Sequence, residues 1–248
     1  MDVLSVKGLS KSFGGLQVLQ DISFSAGEGE KIALIGPNGA GKTTLFHVLG
    51  GQLPVTGGHI FLGREEITHL SPDRRVHRGL ARSYQLNNLF FNLSLLENIL
   101  LALYGVEGSH FRMFQRLENR HDFLQAAQEL LEPMELWDRR FDTISALSYG
   151  EQRLVEVAFA LASKPRIVLL DEPSAGLPTA EAIPFANIIR RFLGNTTLLF
   201  CAHDMDLVFN LADRVMVLYF GKIIAQGGCQ EIRENPRVQE IYLGSEEP

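Results

Sequence analysis

Short apolar runs separated by glycine-containing turns open the chain. VLSVKGL, QDISFSA, KIALIG and HIFLG read as β-strands, and among them only KTTLFHVLGG carries helical spacing. From about Leu93 to Ala162 the pattern shifts: LSLLENILLAL has a 3.6-residue period, GSHFRMFQRLENR is a polar loop, and HDFLQAAQELLEPMEL is helical again. Beyond it RIVLLD, TTLLFCA and RVMVLYF are almost continuously apolar, the pattern of parallel strands buried on both faces, with helical segments between them. The predicted fold is α/β, a sheet-forming N-terminal third and a C-terminal parallel part with a mostly helical insert between. No internal repeat or low-complexity linker divides it. Near the C-terminus EIRENPRVQEIYLG predicts an amphipathic helix with Val238, Ile241 and Tyr242 on one side.

Composition narrows the class. The 248 residues suffice for a well-buried core, and a formal charge of −6 argues against a nucleic-acid partner, whose phosphates select a basic surplus. Cys201 and Cys229 have neither zinc-site nor disulfide-scaffold spacing, which fits a reducing compartment. The opening MDVLSVKGLSKSF has no signal-peptide pattern, and no apolar run reaches the roughly 20 residues that span a bilayer. Any work at a membrane requires another chain to cross it.

Candidate chemistry sits at the strand ends. Gly36-Pro37-Asn38-Gly39-Ala40-Gly41-Lys42-Thr43 matches G-x-x-x-x-G-K-[ST] between a predicted strand and a predicted helix, the context of a phosphate-binding loop. There the glycines let backbone N–H groups close around phosphates, Lys42 reaches the β and γ phosphates, and the Thr43 hydroxyl is placed to ligate Mg²⁺. RIVLLDE ends in adjacent carboxylates at the carboxyl end of a strand, where ligands of such sheets bind; Asp171 is a candidate to hold Mg²⁺ and Glu172 to orient the attacking water. ALSYGEQR raises a different question, because Ser148 and Glu151 have capping-box spacing and need no ligand. Taken singly, His203, Gln85 and Phe13 are mute: a strand-end histidine, a loop glutamine and an aromatic between turns are more often structural.

Taken in order, these pieces resemble the nucleotide-binding subunit of an ATP-binding cassette transporter over nearly the whole chain. The resemblance implies a P-loop NTPase (RecA-like) core with an N-terminal antiparallel β-subdomain and an inserted α-helical subdomain. One nucleotide-binding domain then spans residues 1–248, its core about 1–85 and 163–248 and its helical part about 86–162. It implies ATP and Mg²⁺ as ligands, Phe13 stacking on adenine, Gly36 to Thr44 as Walker A, Gln85 as the Q-loop residue touching Mg²⁺, and Asp171 and Glu172 as Walker B. His203 becomes the switch histidine, and Leu147-Ser148-Tyr149-Gly150-Glu151 the signature usually written LSGGQ, with Tyr149 in place of its first glycine. In this family two such subunits pack head to tail, so Ser148 and Gly150 serve a nucleotide held by the other chain. A capped helix N-terminus with free N–H groups also suits an anionic phosphate, so cap and ligand site are one feature. The loop after Walker B departs from the usual pattern: Ser174-Ala175-Gly176-Leu177 is followed by Pro178, which has no N–H to donate.

LARSYQLNNLFFNLSLLENI, ALSYGEQRLVEVAFAL, HDMDLVFNLADRVMVL and the tail EIRENPRVQEIYLG are similar to the ATPases of branched-chain (hydrophobic) amino acid importers. That similarity implies two transmembrane permease subunits, a second ATPase subunit (self or sister chain) and, indirectly, a solute-binding protein, with this chain peripheral on the cytoplasmic face of the inner membrane. Systems for urea, amides or aromatic acids, and lipopolysaccharide export, are the alternatives. Leu89, Phe90 and Phe91 form an apolar cluster expected to meet a permease helix.

Overall fold

A computed structural model describes residues 1–83, 89–107 and 121–243. The N-terminal hairpin joins β1 (Asp2–Phe13) to β2 (Leu16–Gly27) through Gly14 and Gly15. β4 (Gly57–Leu62) pairs antiparallel with the other edge of β1, and the two-residue β5 (Glu65–Glu66) completes a four-stranded sheet in the order β2-β1-β4-β5. β1 is longer than its apolar run suggests because bulges carry it past Gly8. Opposite that bend, a Cβ on Gly58 would lie 2.4 Å from the Gly8 carbonyl oxygen, so β4 needs glycine to approach.

β3 (Lys31–Ile35) leaves this layer for a second sheet with β6 (Leu80–Arg82), β7 (Ile167–Asp171), β8 (Thr197–Cys201), β9 (Arg214–Tyr219) and β10 (Lys222–Gly227), ordered β10-β9-β3-β8-β7-β6. All neighbours are parallel except β10, which turns back antiparallel on β9. β3, β7 and β8 are buried at every position. Their alternate residues enter different cores: Ala33, Ile35, Val168, Leu170, Leu198 and Phe200 join one cluster, and Ile32, Leu34, Ile167, Leu169, Leu199 and Cys201 the other. That division explains why these strands show no polar alternation in sequence.

The second cluster fills the space between the sheets around α1 (Lys42–Leu49), which buries Leu45, Phe46, Val48 and Leu49. The first cluster lies under the helices of the central stretch, α3 (Leu95–Glu107), α4 (His121–Leu131) and α5 (Tyr149–Leu161), and under α6 (Thr179–Leu193) and α7 (Met205–Leu211). The chain closes with α8 (Cys229–Glu234) and α9 (Pro236–Leu243), anchored by buried Ile232 and Val238, with Ile241 half-buried. The Tyr242 side chain lies outside the described set.

Among the elements that escaped the hydrophobic pattern is α2 (Pro72–His77), too short for a period to show and marked by Pro72 and Asp73 in its first turn. It carries Arg75, which is fully buried and has its guanidinium spread over four carbonyls. Nη1 donates to the α1 carbonyls Val48 (2.8 Å) and Leu49 (2.5 Å), Nη2 to Thr68 (2.8 Å) and Nε to Leu70 (3.0 Å). Burial pushes its pKa down to about 10, so it remains charged at neutral pH at the negative end of α1. Arg75→Met strands these acceptors and is expected to cost about 3 kcal/mol. Thermal denaturation should show melting lowered by roughly 6–12 °C; an unchanged midpoint would mean the carbonyls find other donors.

Candidate functional site

The register of the parallel sheet decides what meets at its carboxyl edge. Leu34 pairs with Cys201 and Asp171 with Cys201, so β3, β7 and β8 stop at one level. Each then releases its chemistry there: residues 36–41 after β3, Glu172 after β7 and His203 after β8. Val18, Asn38, Gly39, Gly41, Lys42, Thr43, Thr44, Glu172 and His203 line one cavity of about 330 Å³.

The loop before α1 is built by its glycines. Gly36, Gly39 and Gly41 have φ of 155°, 78° and 107°, and a Cβ on Gly36 would lie 2.1 Å from the Leu218 carbonyl oxygen. Ala40 is buried, and its carbonyl accepts from Gly221 N–H at 2.9 Å, which ties the loop to the β9–β10 turn. Lys42 is buried, and its ammonium donates to Gly36 O (2.6 Å) and Pro37 O (3.1 Å). No carboxylate among the described residues lies within ion-pair distance of it. Burial holds its pKa below the ordinary lysine value, against the opposing pull of Glu172 and Asp171. A buried ammonium whose partners among the described residues are carbonyls, at the N-terminus of a helix whose first turn has no acid, is an anion receptor by its donor set.

Glu172 adopts φ = 51°, a left-handed conformation that costs a non-glycine residue on the order of 1–2 kcal/mol. Its amide donates to Cys201 O at 2.9 Å. Its carboxylate accepts from His203 Nε2 at 3.0 Å; since an ionised carboxylate only accepts, Nε2 carries the proton. Asp204 caps α7 by accepting from Asp206 N (2.8 Å) and Leu207 N (3.3 Å).

Asp171 is more deeply placed. Its carboxylate accepts from the Cys201 thiol (Sγ to Oδ1, 2.6 Å) and from Arg82 Nη2 (3.1 Å), and Arg82 also donates to Gln52. The bridge is almost dry, with side-chain exposure of 5% for Arg82 and 0% for Asp171. Burial also pushes the Cys201 pKa up, which keeps the sulfur protonated and donating. Arg82, Gln52 and Cys201 carried no motif in the sequence; only the pairing of β6 with β7 brings Arg82 to this acid.

Ser148 N-caps α5 through the expected capping box: Glu151 N donates to Ser148 Oγ (3.3 Å), and Ser148 N donates to Glu151 Oε2 (2.7 Å). Arg139 Nη1 reaches Glu151 Oε1 at 2.5 Å, and Gln152 Nε2 donates to the Ile144 and Leu147 carbonyls. Burial raises the Glu151 pKa, but the Ser148 amide and the Arg139 guanidinium outweigh it and leave the carboxyl below its ordinary range. Neither Ser148 nor Gly150 lines the cavity that holds Lys42 of the same chain.

Three predicted positions behave otherwise. Phe13 is 46% exposed at the end of β1 with Lys11 Nζ 4.8 Å from its ring centroid, and Val18, which the motif search missed, is the β2 residue in the cavity wall. Gln85 lies outside the described residues. Of the Leu89, Phe90 and Phe91 cluster, only Phe90 (55%) and Phe91 (38%) are exposed, whereas Leu89 is buried in the core and is corrected from a partner contact to a packing residue. Buried Asn98 sets that loop, accepting from Phe90 N at 2.8 Å and donating to Phe90 O (3.1 Å) and Ser94 O (2.9 Å).

A glycine-built anion loop and a strained acid paired with histidine, on a parallel sheet flanked by an antiparallel layer and a helical stretch, define a nucleotide-binding ATPase cassette. The chain belongs to the ABC transporter family, whose model matches residues 19–175, and residues 222–248 match the model described as branched-chain amino acid ATP-binding cassette transporter. It is 36% identical to the high-affinity branched-chain amino acid transport ATP-binding protein LivG of Escherichia coli K12 and 35% to BraF of Pseudomonas aeruginosa, each over 98% of both chains. It is also 33% identical to the lipopolysaccharide export system ATP-binding protein LptB of Escherichia coli K12 over 99% of both. The crystal structure of an ATP-binding cassette of an ABC transporter in its ADP conformation superposes with a TM-score of 0.87 at 28% identity, covering 98% of this chain and 99% of that one.

Two outcomes follow from the charges at this site. Arg82→Met leaves the Asp171 carboxylate buried without its cation and is expected to destabilise the fold by about 3 kcal/mol in urea titrations, more than Arg82→Lys; equal midpoints for both variants would exclude the bridge as the cause. The Glu151 pKa is depressed in the fold, so its contribution is complete above the unfolded value of about 4.5 and is lost as pH falls through the folded one. The stability gap between the native chain and Glu151→Gln should therefore narrow on acidification from pH 6 to pH 3, and a pH-independent gap would refute it.

Proposed function

We propose that this chain binds Mg-ATP and hydrolyses it to drive uptake of branched-chain or other hydrophobic amino acids through separate permease subunits. The observation that carries the reading is the convergence of Lys42, Thr43, Glu172 and His203 on one cavity. Lys42 exchanges its carbonyl partners for the β and γ phosphate oxygens, and N–H groups of the loop after Pro37 close on the same charge. Thr43, in the cavity wall, would hold Mg²⁺ together with Gln85, and Asp171, whose oxygens accept from Cys201 and Arg82 beneath the site, would reach the ion through water; Mg²⁺ there would supply charge neutralisation at the phosphates. Glu172 orients a water for in-line attack and accepts its proton, and His203 fixes the carboxylate through the Nε2–H bond. Phe13 is assigned to adenine.

The distance of Ser148, Gly150 and Glu151 from their own cavity supports a head-to-tail dimer, with the second ATPase subunit a copy or a sister chain. Residues 86–162 are assigned as the helical subdomain, and exposed Phe90 and Phe91 as part of its permease-facing surface. No described helix is long and apolar enough to cross a membrane. In this reading permeases provide the path across it, the chain is peripheral on the cytoplasmic face, and a binding protein supplies the solute. The match of the tail to the branched-chain model favours amino-acid import over lipopolysaccharide export.

Glu172→Gln keeps the shape of the site and removes its base. ATP hydrolysis should fall at least about 100-fold while ATP binding persists and the trapped chain forms an ATP-dependent dimer in light scattering. Hydrolysis within a few-fold of the native rate would remove Glu172 from the role.

A further inference from the structure

The signature stretch differs from its family pattern at Tyr149, and the structure gives that side chain an occupation. Its ring lies against Gly176, the second residue past Ser174 in the loop that follows Glu172. Gly176 has φ = 84°, and a Cβ there would sit 2.9 to 3.0 Å from the Tyr149 Oη, Cε1 and Cζ atoms, so glycine is required under the ring. The phenol hydroxyl donates to the Ala175 carbonyl at 2.8 Å. Arg153, one turn further along α5, donates through Nη2 to the same carbonyl at 3.1 Å and to the Tyr149 oxygen at 2.7 Å, while its Nη1 is fixed on Glu156 Oε2 at 2.7 Å. Its guanidinium carbon is 5.1 Å from the Tyr149 ring centroid, within cation–π range.

Ala175 is also the residue whose amide closes the turn on the candidate base: its N–H donates to Glu172 O at 3.0 Å. Three hydrogen bonds thus converge on one residue, two onto its carbonyl from the signature helix and one from its amide to the Glu172 carbonyl. The base is the residue held at φ = 51°. Strained backbone persists only where its surroundings over-determine it, and these contacts supply that constraint at the far side of the loop. The neighbouring approach is equally tight, since a Cβ on Gly150 would lie 3.1 Å from Glu181 Oε2 and 3.4 Å from Leu177 Cδ2.

We infer that Tyr149 and Arg153 form a clamp that positions Glu172 through Ala175, so that the signature helix and the hydrolytic carboxylate of one chain move together. Both act as positioning residues. The inference rests on the assignment of Glu172 as base. If the signature faces a nucleotide on the partner subunit, the clamp reports that contact to this chain's own acid.

Tyr149→Phe keeps the ring on Gly176 and removes only the hydroxyl. Loss of one half-exposed hydrogen bond should lower kcat for ATP about five-fold, with KM for ATP and the Kd of ADP within two-fold of native. Arg153→Met should act in the same direction, and the effect of the double variant should depart from the product of the two single effects because both donors act on one carbonyl. Amide exchange read by mass spectrometry tests the clamp without hydrolysis: residues 172–178 should exchange several-fold faster in Tyr149→Phe, with α5 unchanged. An unaltered kcat with unaltered exchange overturns the inference, as does a loss confined to KM. Faster exchange beside an active Glu172→Gln would preserve the clamp and reject Glu172 as the base, so the two assignments fail separately. If Tyr149→Phe does not fold, the exchange and kcat of Arg153→Met decide.

Discussion

The constraint on which the site depends is the common level at which three buried parallel strands end. Pairing of Leu34 and of Asp171 with Cys201 sets a phosphate loop, an acid pair and a histidine side by side, although about 130 residues of chain separate the first from the second. A slip of one residue in any of these strands would exchange the residues between the two cores and withdraw its chemistry from the edge at once. Burial on both faces therefore sets both the stability and the register, because Val168 and Leu170 fit one core and Ile167 and Leu169 the other. The site gains its precision from the apolar packing beneath it.

Three buried cations show how differently the same cost is met around α1. Arg75 spreads its charge over four carbonyls at the C-terminal end, an arrangement that is complete and structural. Arg82 is matched by the Asp171 carboxylate beneath the site. Among the described residues Lys42 is held by the two carbonyls of its own loop, both on neutral groups, and burial weakens its charged form. That contrast distinguishes a cation placed for stability from one placed for an anion: Arg75 and Arg82 are held by acceptors of the fold, Arg82 by a carboxylate, while phosphate offers Lys42 a charged partner.

What the sequence disclosed follows from how local each signal is. The phosphate loop, the strand ending in Asp171 and Glu172, and the capping box of Ser148 and Glu151 each lie within a few residues, and KIALI, IVLLD and TLLFC are apolar except at one end because both their faces are covered. α2 and β6 are too short to show a period. Arg82, Gln52 and Cys201 converge on Asp171 only after strands far apart in sequence have paired, and Val18 reaches the cavity wall only because the hairpin turns back at Gly14 and Gly15. Leu89 misled for the same reason: an apolar triplet in a loop looks exposed until buried Asn98 folds the loop back and turns one of its three side chains inward.

The capping box of α5 shows that structural and functional readings of one motif need not compete. Ser148 and Glu151 satisfy donors of the first turn, and Arg139 and Gln152 hold the preceding loop, so the start of the helix is fixed before any ligand arrives. A helix start held in this way keeps its remaining N–H groups aligned, which is what recognition of a phosphate requires. Because Tyr149 also fastens it to the loop beyond Glu172, the segment that would touch a neighbour's nucleotide is joined through Ala175 to the acid proposed as the base. A generic glycine at position 149 has no side chain with which to make that connection. The departure from the family pattern thus lies where a side chain can link two sites that the fold otherwise keeps apart.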